Sequence, residues 1–422
     1  MNNATISVIG LGYIGLPTAA MFASRKIKVI GVDVDARTVE TINRGEIHIV
    51  EPDLDIAVHS SVTEGYLRAT TEPEPADAFL IAVPTPFRGN DHEPDLSYIE
   101  AAARAIAPVL RPGNLVVLES TSPVGATEQL AEWLAEVRPD LTFPQTAGEA
   151  SDVRIAHCPE RVLPGKVMQE LIHNDRVIGG MTRKCSDAAV ALYKIFVDGE
   201  CVVTNARTAE MAKLTENSFR DVNIAFANEL SVICDKLDID VWELIRLANR
   251  HPRVNILQPG PGVGGHCIAV DPWFIVASAP DEATLIRTAR EVNDAKPEWV
   301  LAKVKEAVAR HLEANPGQAE ADVTIACYGL AFKPDIDDLR ESPAVEIVKA
   351  LAEAHSGRVL AVEPNIETLP AKLGKAELVG QRQAGSADVH VMLVDHCEFK
   401  NDRPPSELSV DVRGVWGANA FA

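Results

Sequence analysis

The sequence predicts an α/β protein in which two doubly wound domains are joined by a long central helix and a helical connector. Strand patterns rich in β-branched residues alternate with helical patterns over residues 4–118, and strand patterns return over residues 322–394. Between these regions, residues 208–237 contain neither glycine nor proline, which predicts one long helix. The chain of 422 residues is long enough for two or three domains, so its length fits this architecture.

The first domain is predicted to begin with a complete βαβ unit. A strand pattern at residues 4–9 leads into a glycine-rich segment at 10–15, an alanine-rich helical stretch at 16–24 and a second strand at 28–33. A strand, helix and strand in this order predict a parallel sheet that helices cover on both faces. The later elements predicted for this domain are strands at 78–83 and 115–118 and a helix at 98–110.

The glycines of the first turn and the acid after the second strand predict a dinucleotide site. Gly10 allows the tight turn, Gly12 lets the backbone approach a pyrophosphate, and Gly15 lets the helix pack closely on the strand. Asp33 can bind both ribose hydroxyls and would repel a 2′-phosphate, which favours NAD over NADP. A tight strand–helix turn without a ligand is the alternative.

Two further loops follow predicted strand ends, where ligands bind in such sheets. Thr85 lies in the first loop, and Thr121 and Thr127 lie in the second, Glu-Ser-Thr-Ser-Pro-Val-Gly-Ala-Thr. Their hydroxyls could contact the cofactor. Capping or turn formation is the ordinary role of such residues, so that alternative stays open.

The second half of the chain is predicted to contain helices and then a smaller α/β domain. We therefore expect a dinucleotide-binding domain at residues 1–200, a central helical domain at 201–314 and a second α/β domain at 315–422. The elements predicted in this half are helices at 241–248, 281–314 and 343–354, a glycine- and proline-rich loop at 258–271, and strands at 322–328, 358–362 and 389–394.

Composition excludes several classes of partner. The formal net charge of −21, with no basic run to offset it, disfavours nucleic acid and anionic membranes as partners. No apolar run reaches the roughly 18 residues of a membrane span, and the N-terminus lacks the pattern of a signal peptide. Seven scattered cysteines without a CxxC pair indicate reduced thiols in a cytoplasm and no structural metal site.

One cysteine stands out by its surroundings. Cys267 ends the segment Gly264-Gly265-His266-Cys267, where neighbouring glycines would let backbone and substrate approach its sulfur closely. The predicted long helix carries polar residues at 210, 213, 217 and 220, which share one helical face. A buried cysteine and a solvated helix face are the ordinary explanations of these patterns. Their occurrence in one chain with the dinucleotide fingerprint favours a catalytic constellation.

Taken together, these motifs resemble the UDP-glucose/GDP-mannose dehydrogenase family. The resemblance covers nearly the whole chain in order. The cysteine loop departs from the UDP-glucose type, which reads like GGSCFPKD, and is similar to the N-acetylhexosamine branch of the family. The motifs are GLGYIG (10–15), ESTSPVGAT (119–127), CPERVLPG (158–165), the Lys213/Asn217 helix, HPRVN (251–255), GGHCIAVDPW (264–273) and YGLAFKP (328–334).

The resemblance implies an NAD-dependent four-electron oxidation of a UDP-sugar alcohol at C6 to a carboxylate. Cys267 would add to the aldehyde intermediate as a thiolate, forming a thiohemiacetal that is oxidised to a thioester and then hydrolysed. Lys213 would exchange the proton and stabilise the oxyanion, and Asn217 would donate a hydrogen bond to the same oxygen. Glu160 would activate water, and Asp271 would orient the lysine or the water, with a turn or helix N-cap as its alternative role.

The resemblance also implies the ligand contacts and the assembly. The expected substrate is UDP-N-acetyl-D-mannosamine, and the family forms homodimers through its central helices. Arg413 stands where relatives have lysine, and pairing with Asp337 or Glu341 is the alternative for Arg340. The implied NAD contacts are Gly10, Gly12, Tyr13, Ile14, Gly15, Asp33, Thr85, Thr121, Thr127 and Arg340. The implied substrate contacts are Arg161, Val162, Lys213, Asn217, Arg220, His251, Arg253, Gly264, Phe332, Lys333 and Arg413.

Other functions remain open on the residues alone. UDP-N-acetylglucosamine and UDP-glucose are alternative substrates within the family. A two-electron dehydrogenase with a similar double-domain layout would need no cysteine and would form one NADH per substrate. A nucleotide-sugar sensor would bind without turnover, and an epimerase would leave the NADH level unchanged after reaction.

Overall fold

The computed structural model describes residues 4–89, 92–163, 165–265, 267–400, 404 and 408–417. Its contacts divide the chain into two compact units. One unit comprises Met1–Glu216 and Trp273–Pro280, and the other comprises Asn217–Pro272 and Asp281–Ala422. Within the described residues, no helix has the length and apolarity needed to cross a membrane.

The first unit is built on an eight-stranded sheet, as the βαβ patterns predict. Its order is β10-β9-β8-β7-β4-β1-β2-β3, so the chain reverses direction across the sheet between β1 and β4. Ligands bind at such a switch point, beyond the carboxyl ends of the strands. The sheet strands are β1 (Thr5–Ile9), β2 (Lys28–Val32), β3 (Leu67–Thr70), β4 (Ala78–Ile81), β7 (Leu115–Leu118), β8 (Arg154–His157), β9 (Arg176–Gly180) and β10 (Cys201–Asn205); β5 (Phe87–Arg88) and β6 (Glu93–Pro94) form a separate hairpin.

Helices cover both faces of this sheet. Successive residues of β1 point to opposite faces, and accordingly Val8 belongs to one buried apolar cluster and Ile9 to another. Leu16 and Phe22 of the first helix pack in the cluster of Val8. The predicted two-sided parallel sheet is therefore confirmed for this part of the chain. The helices are α1 (Gly15–Ser24), α2 (Ala36–Asn43), α3 (Leu54–Thr63), α4 (Ser97–Ile106), α5 (Ala126–Val137), α6 (Pro144–Ala147), α7 (Val167–His173) and α8 (Arg183–Tyr193).

The far edge of the sheet departs from the parallel pattern. β9 runs antiparallel to β8, and β10 runs parallel to β9. Because β9 starts at the edge where β8 ends, the connection of residues 158–175 stays at the carboxyl edge and does not cross the sheet. That course keeps the Cys-Pro-Glu-Arg segment beside the expected ligand site. The sequence patterns did not predict this reversal.

Two 31-residue helices dominate the middle of the chain. α9 spans Ala206–Lys236, which confirms the helix predicted at 208–237. α10 spans Val241–Ala248 as predicted, and α12 spans Thr284–Ala314 against a prediction of 281–314. α11, at Asp271–Ser278, was not predicted, because its short apolar sequence follows the glycine-rich loop without an amphipathic pattern.

The second unit contains the predicted smaller α/β fold. Its five-stranded parallel sheet has the order β13-β12-β11-β14-β15. Apolar clusters around Val391 and Met392 lie on its two faces, so this sheet is doubly wound as well. Its elements are β11 (Ile325–Tyr328), α13 (Pro343–Ala354), β12 (Val359–Val362), β13 (Glu377–Leu378), α14 (Gln381–Ala384), β14 (Val389–Met392) and β15 (Ser409–Asp411).

Candidate active site

The turn after β1 has the shape of a dinucleotide cradle. Gly10 has a φ of +90°, and a Cβ there would lie 2.5 Å from the Ala82 carbonyl oxygen. A Cβ at Gly15 would lie 1.8 Å from the Gly10 carbonyl oxygen, so neither position admits a side chain. α1 begins at Gly15, directly after this turn, so the positive end of its helix dipole lies at the turn where a pyrophosphate would bind. Gly12 has open space beside it, which fits close approach of a ligand.

Asp33 is held at the end of β2 beside this turn. Its Oδ2 accepts a hydrogen bond from the Leu11 N–H at 2.9 Å, and its Oδ1 accepts one from the Asp35 N–H at 3.0 Å. The carboxylate is only half-buried, so it retains accepting capacity toward ribose hydroxyls. These residues fit the adenosine half of NAD.

The two neighbouring loops meet at the switch point. The Thr85 hydroxyl donates to the Thr121 carbonyl oxygen at 2.5 Å, which joins the loops after β4 and β7. Thr127 is fully buried, and its hydroxyl donates to Glu210 Oε1 at 2.6 Å. Glu210 also accepts from the N–H groups of Gly125 and Thr127, so its carboxylate caps the start of α5. Sequence spacing placed Glu210 on a polar face but gave no sign of this capping role.

Glu160 and Lys213 are both buried in the first unit. Glu160 is 9% exposed and Lys213 is 8% exposed. Burial raises the pKa of Glu160 to about 7, although the positive charges of Lys213 and Arg176 oppose the rise. A carboxyl group with such a pKa can serve as a base near neutral pH. The Val162 N–H donates to Glu160 Oε1 and fixes the orientation of the carboxylate.

A buried polar cluster lies behind Glu160. The Tyr193 hydroxyl donates to Glu119 Oε1 at 2.6 Å, and the Arg176 guanidinium lies 5.3 Å from the Tyr193 ring centroid. Arg176 and Glu119 are each 2% exposed, and burial raises the pKa of Glu119. Sequence analysis did not identify Arg176, because only the folded sheet brings the start of β9 next to these groups.

Arg161 is already engaged beside Glu160. It forms an ion pair with Glu216 at 2.7 Å and donates to the Asp175 carbonyl oxygen at 3.1 Å. The pair is partly exposed, so a phosphate could compete for the guanidinium. Pro164 of the same motif lies outside the described residues.

The cysteine loop, residues 260–267, is shaped by its glycines. Gly262 and Gly265 have φ values of +142° and +83°. A Cβ at Gly264 would lie 2.3 Å from the Glu341 carbonyl oxygen, so this position also requires glycine. Cys267 is exposed, and its carbonyl oxygen accepts from the Asp271 N–H at 2.8 Å. His266 lies outside the described residues.

Asn217 and Asp271 meet in the second unit. Asn217 Nδ2 donates to Asp271 Oδ2 at 2.5 Å. Asp271 is the first residue of α11 and is 3% exposed. The acid therefore fixes the amide of Asn217, which lies one helical turn after Lys213 on α9.

The other cysteines offer less suitable thiols. Burial raises the pKa of Cys158 to about 12 and that of Cys327 to about 12. Cys397 is exposed, but its bond to Glu398 raises the pKa of its thiol. Because the thiolate is the nucleophile, these shifts disfavour all three thiols at neutral pH. Exposure and the surrounding glycines distinguish Cys267.

The remaining expected substrate residues of the second unit differ in how firmly they are held. The Lys333 amine lies 5.9 Å from the Phe332 ring centroid. Arg413 pairs with Asp395 at 2.7 Å and donates to the Pro259 carbonyl oxygen at 3.2 Å, so it adjoins the cysteine loop. The exposed positions are Arg220, His251 and Arg253.

Arg340 makes a local pair of the kind considered as its alternative. Its guanidinium pairs with Asp338 at 2.6 Å, an acid that lies next to Asp337, one of the two named from the sequence. Both side chains are partly exposed, so the pair is weak and could exchange for a ligand.

A turn like the one after β1 also follows β11 in the second sheet, but the acid beside it already accepts hydrogen bonds from the protein itself. Gly329 has a φ of +86° after β11, and Glu363 ends β12 as Asp33 ends β2. Glu363 Oε2 accepts from the N–H groups of Leu330 and Ala331, and it also pairs with His396 Nε2 at 3.0 Å. Its side chain is fully buried, which leaves no accepting face for a ribose.

His396 also lies near two further acidic side chains, Asp335 and Glu398, in a grouping that could hold a metal ion. Its Nδ1 accepts from the Asp335 N–H at 2.9 Å, while its Nε2 pairs with Glu363. Both ring nitrogens are therefore used within the protein, which disfavours a metal at this position.

Comparison with known families finds matches along most of the chain. Residues 4–197 match the NAD binding domain of the UDP-glucose/GDP-mannose dehydrogenase family. Residues 207–295 match the central domain of that family, and residues 326–418 match its UDP binding domain.

Individual relatives are similar over nearly their full length. A UDP-N-acetyl-D-mannosamine dehydrogenase from Yersinia pestis is 70% identical, covering 99% of this chain and 100% of that protein. An NDP-N-acetyl-D-galactosaminuronic acid dehydrogenase from Ralstonia nicotianae is 66% identical, with coverages of 99% and 97%. The solved structure of a UDP-D-ManNAc dehydrogenase from Pyrococcus horikoshii has a TM-score of 0.86 and 38% identity, covering 97% of this chain and 96% of that one.

Proposed function

The chain belongs to the UDP-glucose/GDP-mannose dehydrogenase family, and from that premise we propose that it is a UDP-N-acetyl-D-mannosamine 6-dehydrogenase. It oxidises the C6 alcohol of this sugar to a carboxylate and uses NAD. The observation that carries this assignment is 70% identity, over 99% of the chain, to a relative of that name. The exposed Cys267 behind its glycines supplies the nucleophile that the second oxidation needs.

The chemistry is divided among five side chains. The turn after β1 would hold NAD, which would supply one hydride acceptor for each of the two oxidations, with a second molecule replacing the first. Cys267 adds to the aldehyde and holds the intermediate covalently as a thiohemiacetal and then as a thioester. Lys213 exchanges the proton of the C6 oxygen, and Asn217, oriented by Asp271, donates a hydrogen bond to that oxygen. Glu160, with its pKa near 7, takes a proton from the water that hydrolyses the thioester.

The cofactor contacts are proposed from the turn after β1 and its neighbouring loops. Gly10, Gly12 and Gly15 leave room for the pyrophosphate, and Asp33 accepts from the ribose hydroxyls. The remaining proposed NAD contacts are Tyr13, Ile14, Thr85, Thr121, Thr127 and Arg340.

The substrate contacts are proposed on charge and position. Arg161 and Lys333 offer positive charge to the diphosphate, since guanidinium and ammonium groups are the usual phosphate ligands. Phe332 offers a ring face close to the cysteine loop, at Gly264 and Gly265. The remaining proposed substrate contacts are Val162, Lys213, Asn217, Arg220, His251, Arg253, Gly264 and Arg413.

Three functional segments follow from these assignments. We assign NAD binding to residues 1–200, the catalytic helices to 201–314 and UDP-sugar binding to 315–422. A reduced Cys267 is required for turnover, so we expect the enzyme to work in the cytoplasm, where thiols stay reduced.

We further propose that the enzyme is a homodimer joined through α9. Exposed apolar side chains on this helix recur at intervals of seven or eight residues, at Met211, Phe219, Phe226 and Ile233. Phe219 is 71% exposed, and a stripe of this kind is typical of a helix that packs on another helix.

A substrate panel tests the assignment of the sugar. Purified protein is given NAD with one of four sugars, and the formation of NADH is followed by absorbance. The sugars are UDP-N-acetyl-D-mannosamine, its N-acetylgalactosamine and N-acetylglucosamine counterparts, and UDP-glucose. We expect the highest kcat/KM for UDP-N-acetyl-D-mannosamine. A higher kcat/KM for the N-acetylgalactosamine sugar would favour the second candidate function, the one for which the 66% identical relative is named.

A further inference from the structure

A buried chain of hydrogen bonds connects α9 and α12 to the start of the cysteine loop. Asn293 Nδ2 donates to Asp221 Oδ1 at 2.8 Å, and Asn228 Nδ2 donates to Asn293 Oδ1 at 2.8 Å. The Gly260 N–H then donates to Asn228 Oδ1 at 2.8 Å. Asp221, Asn228 and Asn293 are at most 1% exposed, so water does not compete for these bonds.

Asp221, at one end, sets the direction of the whole chain. It offers Asn293 two acceptors, its carboxylate and, at 3.1 Å, its backbone carbonyl oxygen, so Asn293 must turn its amide nitrogen toward it. The side-chain carbonyl oxygen of Asn293 then faces Asn228, so Asn228 must donate its amide N–H to that oxygen. The side-chain carbonyl oxygen of Asn228 is left to accept from the Gly260 N–H. Arg290 holds Asp221 in place through an ion pair at 2.7 Å, with side chains that are 2% and 0% exposed.

The cysteine loop also rests directly on this chain. A Cβ at Gly262 would lie 3.2 Å from the Asn293 carbonyl oxygen. The Asn293 backbone therefore adjoins the loop at Gly262, and its side chain supports the loop through Asn228. The two contacts hold Gly260 and Gly262, which precede Cys267 by seven and five residues.

We propose that Asp221, Asn293 and Asn228 are positioning residues that fix the cysteine loop and thereby the place of the Cys267 thiol. This inference rests on the proposed function in taking Cys267 as the nucleophile. None of the three side chains contacts the sulfur in this proposal. Their effect reaches it through the backbone of Gly260 and Gly262. A misplacement of about 1 Å can cost roughly a hundredfold in rate, so such a support matters for turnover.

Two variants test the proposal through thiol reactivity. Asn293→Leu preserves most of the volume but removes both the donor to Asp221 and the acceptor of Asn228, and Asn228→Ala removes the acceptor of the Gly260 N–H. Iodoacetamide labelling of Cys267 is measured by peptide mass spectrometry relative to Cys397, the other exposed thiol. We expect this ratio to change by about threefold or more. We also expect kcat to fall by about tenfold or more while the KM for NAD stays unchanged.

Cys234→Ala is the matched control, since Cys234 is a buried residue of α9 outside the chain of hydrogen bonds. Thermal unfolding and NAD binding verify that each variant folds, and Asn293→Leu, which changes the volume less, decides the outcome if Asn228→Ala does not fold. A Cys267/Cys397 ratio equal to that of the wild type in the folded variants would overturn the proposal. Labelling needs no turnover, whereas failure of the proposed function would show as absent NADH from the wild type.

Discussion

At the scale of single residues, burial and nearby positive charges act in opposite directions on the pKa of Glu160 in the proposed site. Burial disfavours its carboxylate, and the charges of Lys213 and Arg176 restore part of the stability of that form. With a pKa of about 7, the group is roughly half ionised at neutral pH. An ordinary glutamate would be fully ionised there but would be a weaker base toward water.

This balance predicts the pH dependence of thioester hydrolysis. The deprotonated form is the base, so the rate should fall as pH drops below about 7, by roughly tenfold per unit. Single-turnover decay of the acyl-enzyme between pH 5.5 and 8.5 measures this step. Glu160→Gln should lower the rate by about 10²–10⁴ and abolish the pH dependence. The exposed Glu136→Gln serves as control, and an unchanged profile in Glu160→Gln would remove Glu160 from this role.

Also at the scale of single residues, the sequence allowed candidate site residues to be named only where they lie in contiguous motifs. Cys267 and Lys213 could be named because glycines or a helical face surround them in the sequence. Arg176 and the Asp221–Asn293–Asn228 chain could not be named. Asp221 and Asn293 are 72 residues apart, and their pairing follows only from the packing of α9 against α12.

At the scale of elements, α9 combines a buried face that carries Lys213 with an exposed apolar face. Lys213 is buried, whereas Phe226 on another face is 53% exposed. Exposure of such large apolar side chains to water is unfavourable, so an exposed apolar face on a helix indicates a surface that binds a partner. The dimer proposed above gives this surface a partner.

Phe226→Glu is expected to dissociate the dimer. A charge at the centre of a helix pair would be buried without a partner and would cost several kcal/mol. Analytical ultracentrifugation should find the wild type as a dimer and the variant as a monomer. Leu247→Glu, at a 60% exposed position on α10, is the matched control and should remain dimeric. A monomeric wild type, or a dimeric Phe226→Glu, would contradict the assignment of this surface.

Elements differ in how well their sequences predict them. α9 was predicted within two residues at each end, because a long run without glycine or proline is a strong local signal. α11 was missed because eight mostly apolar residues after a loop show no helical period. The reversed β9 and β10 were missed because strand direction depends on tertiary pairing and not on local pattern.

At the scale of the whole molecule, the same turn occurs in both sheets with different uses. After β1 the acid Asp33 remains half-buried with accepting capacity, whereas after β11 the acid Glu363 is saturated by backbone N–H groups and His396. The GxGxxG fingerprint predicted the first site from the sequence alone. The difference in the second turn depends on His396, 33 residues beyond Glu363, and no local sequence pattern predicts a contact between residues so far apart.

The stoichiometry of NADH formation tests the role of Cys267 most directly. Wild type and the control Cys397→Ser are expected to form two NADH per UDP-N-acetyl-D-mannosamine and to release the uronate. Cys267→Ser should form no uronate, because a serine hydroxyl does not give the thioester that the second oxidation produces. Full conversion to the uronate by Cys267→Ser, with two NADH per sugar, would contradict covalent capture by this cysteine.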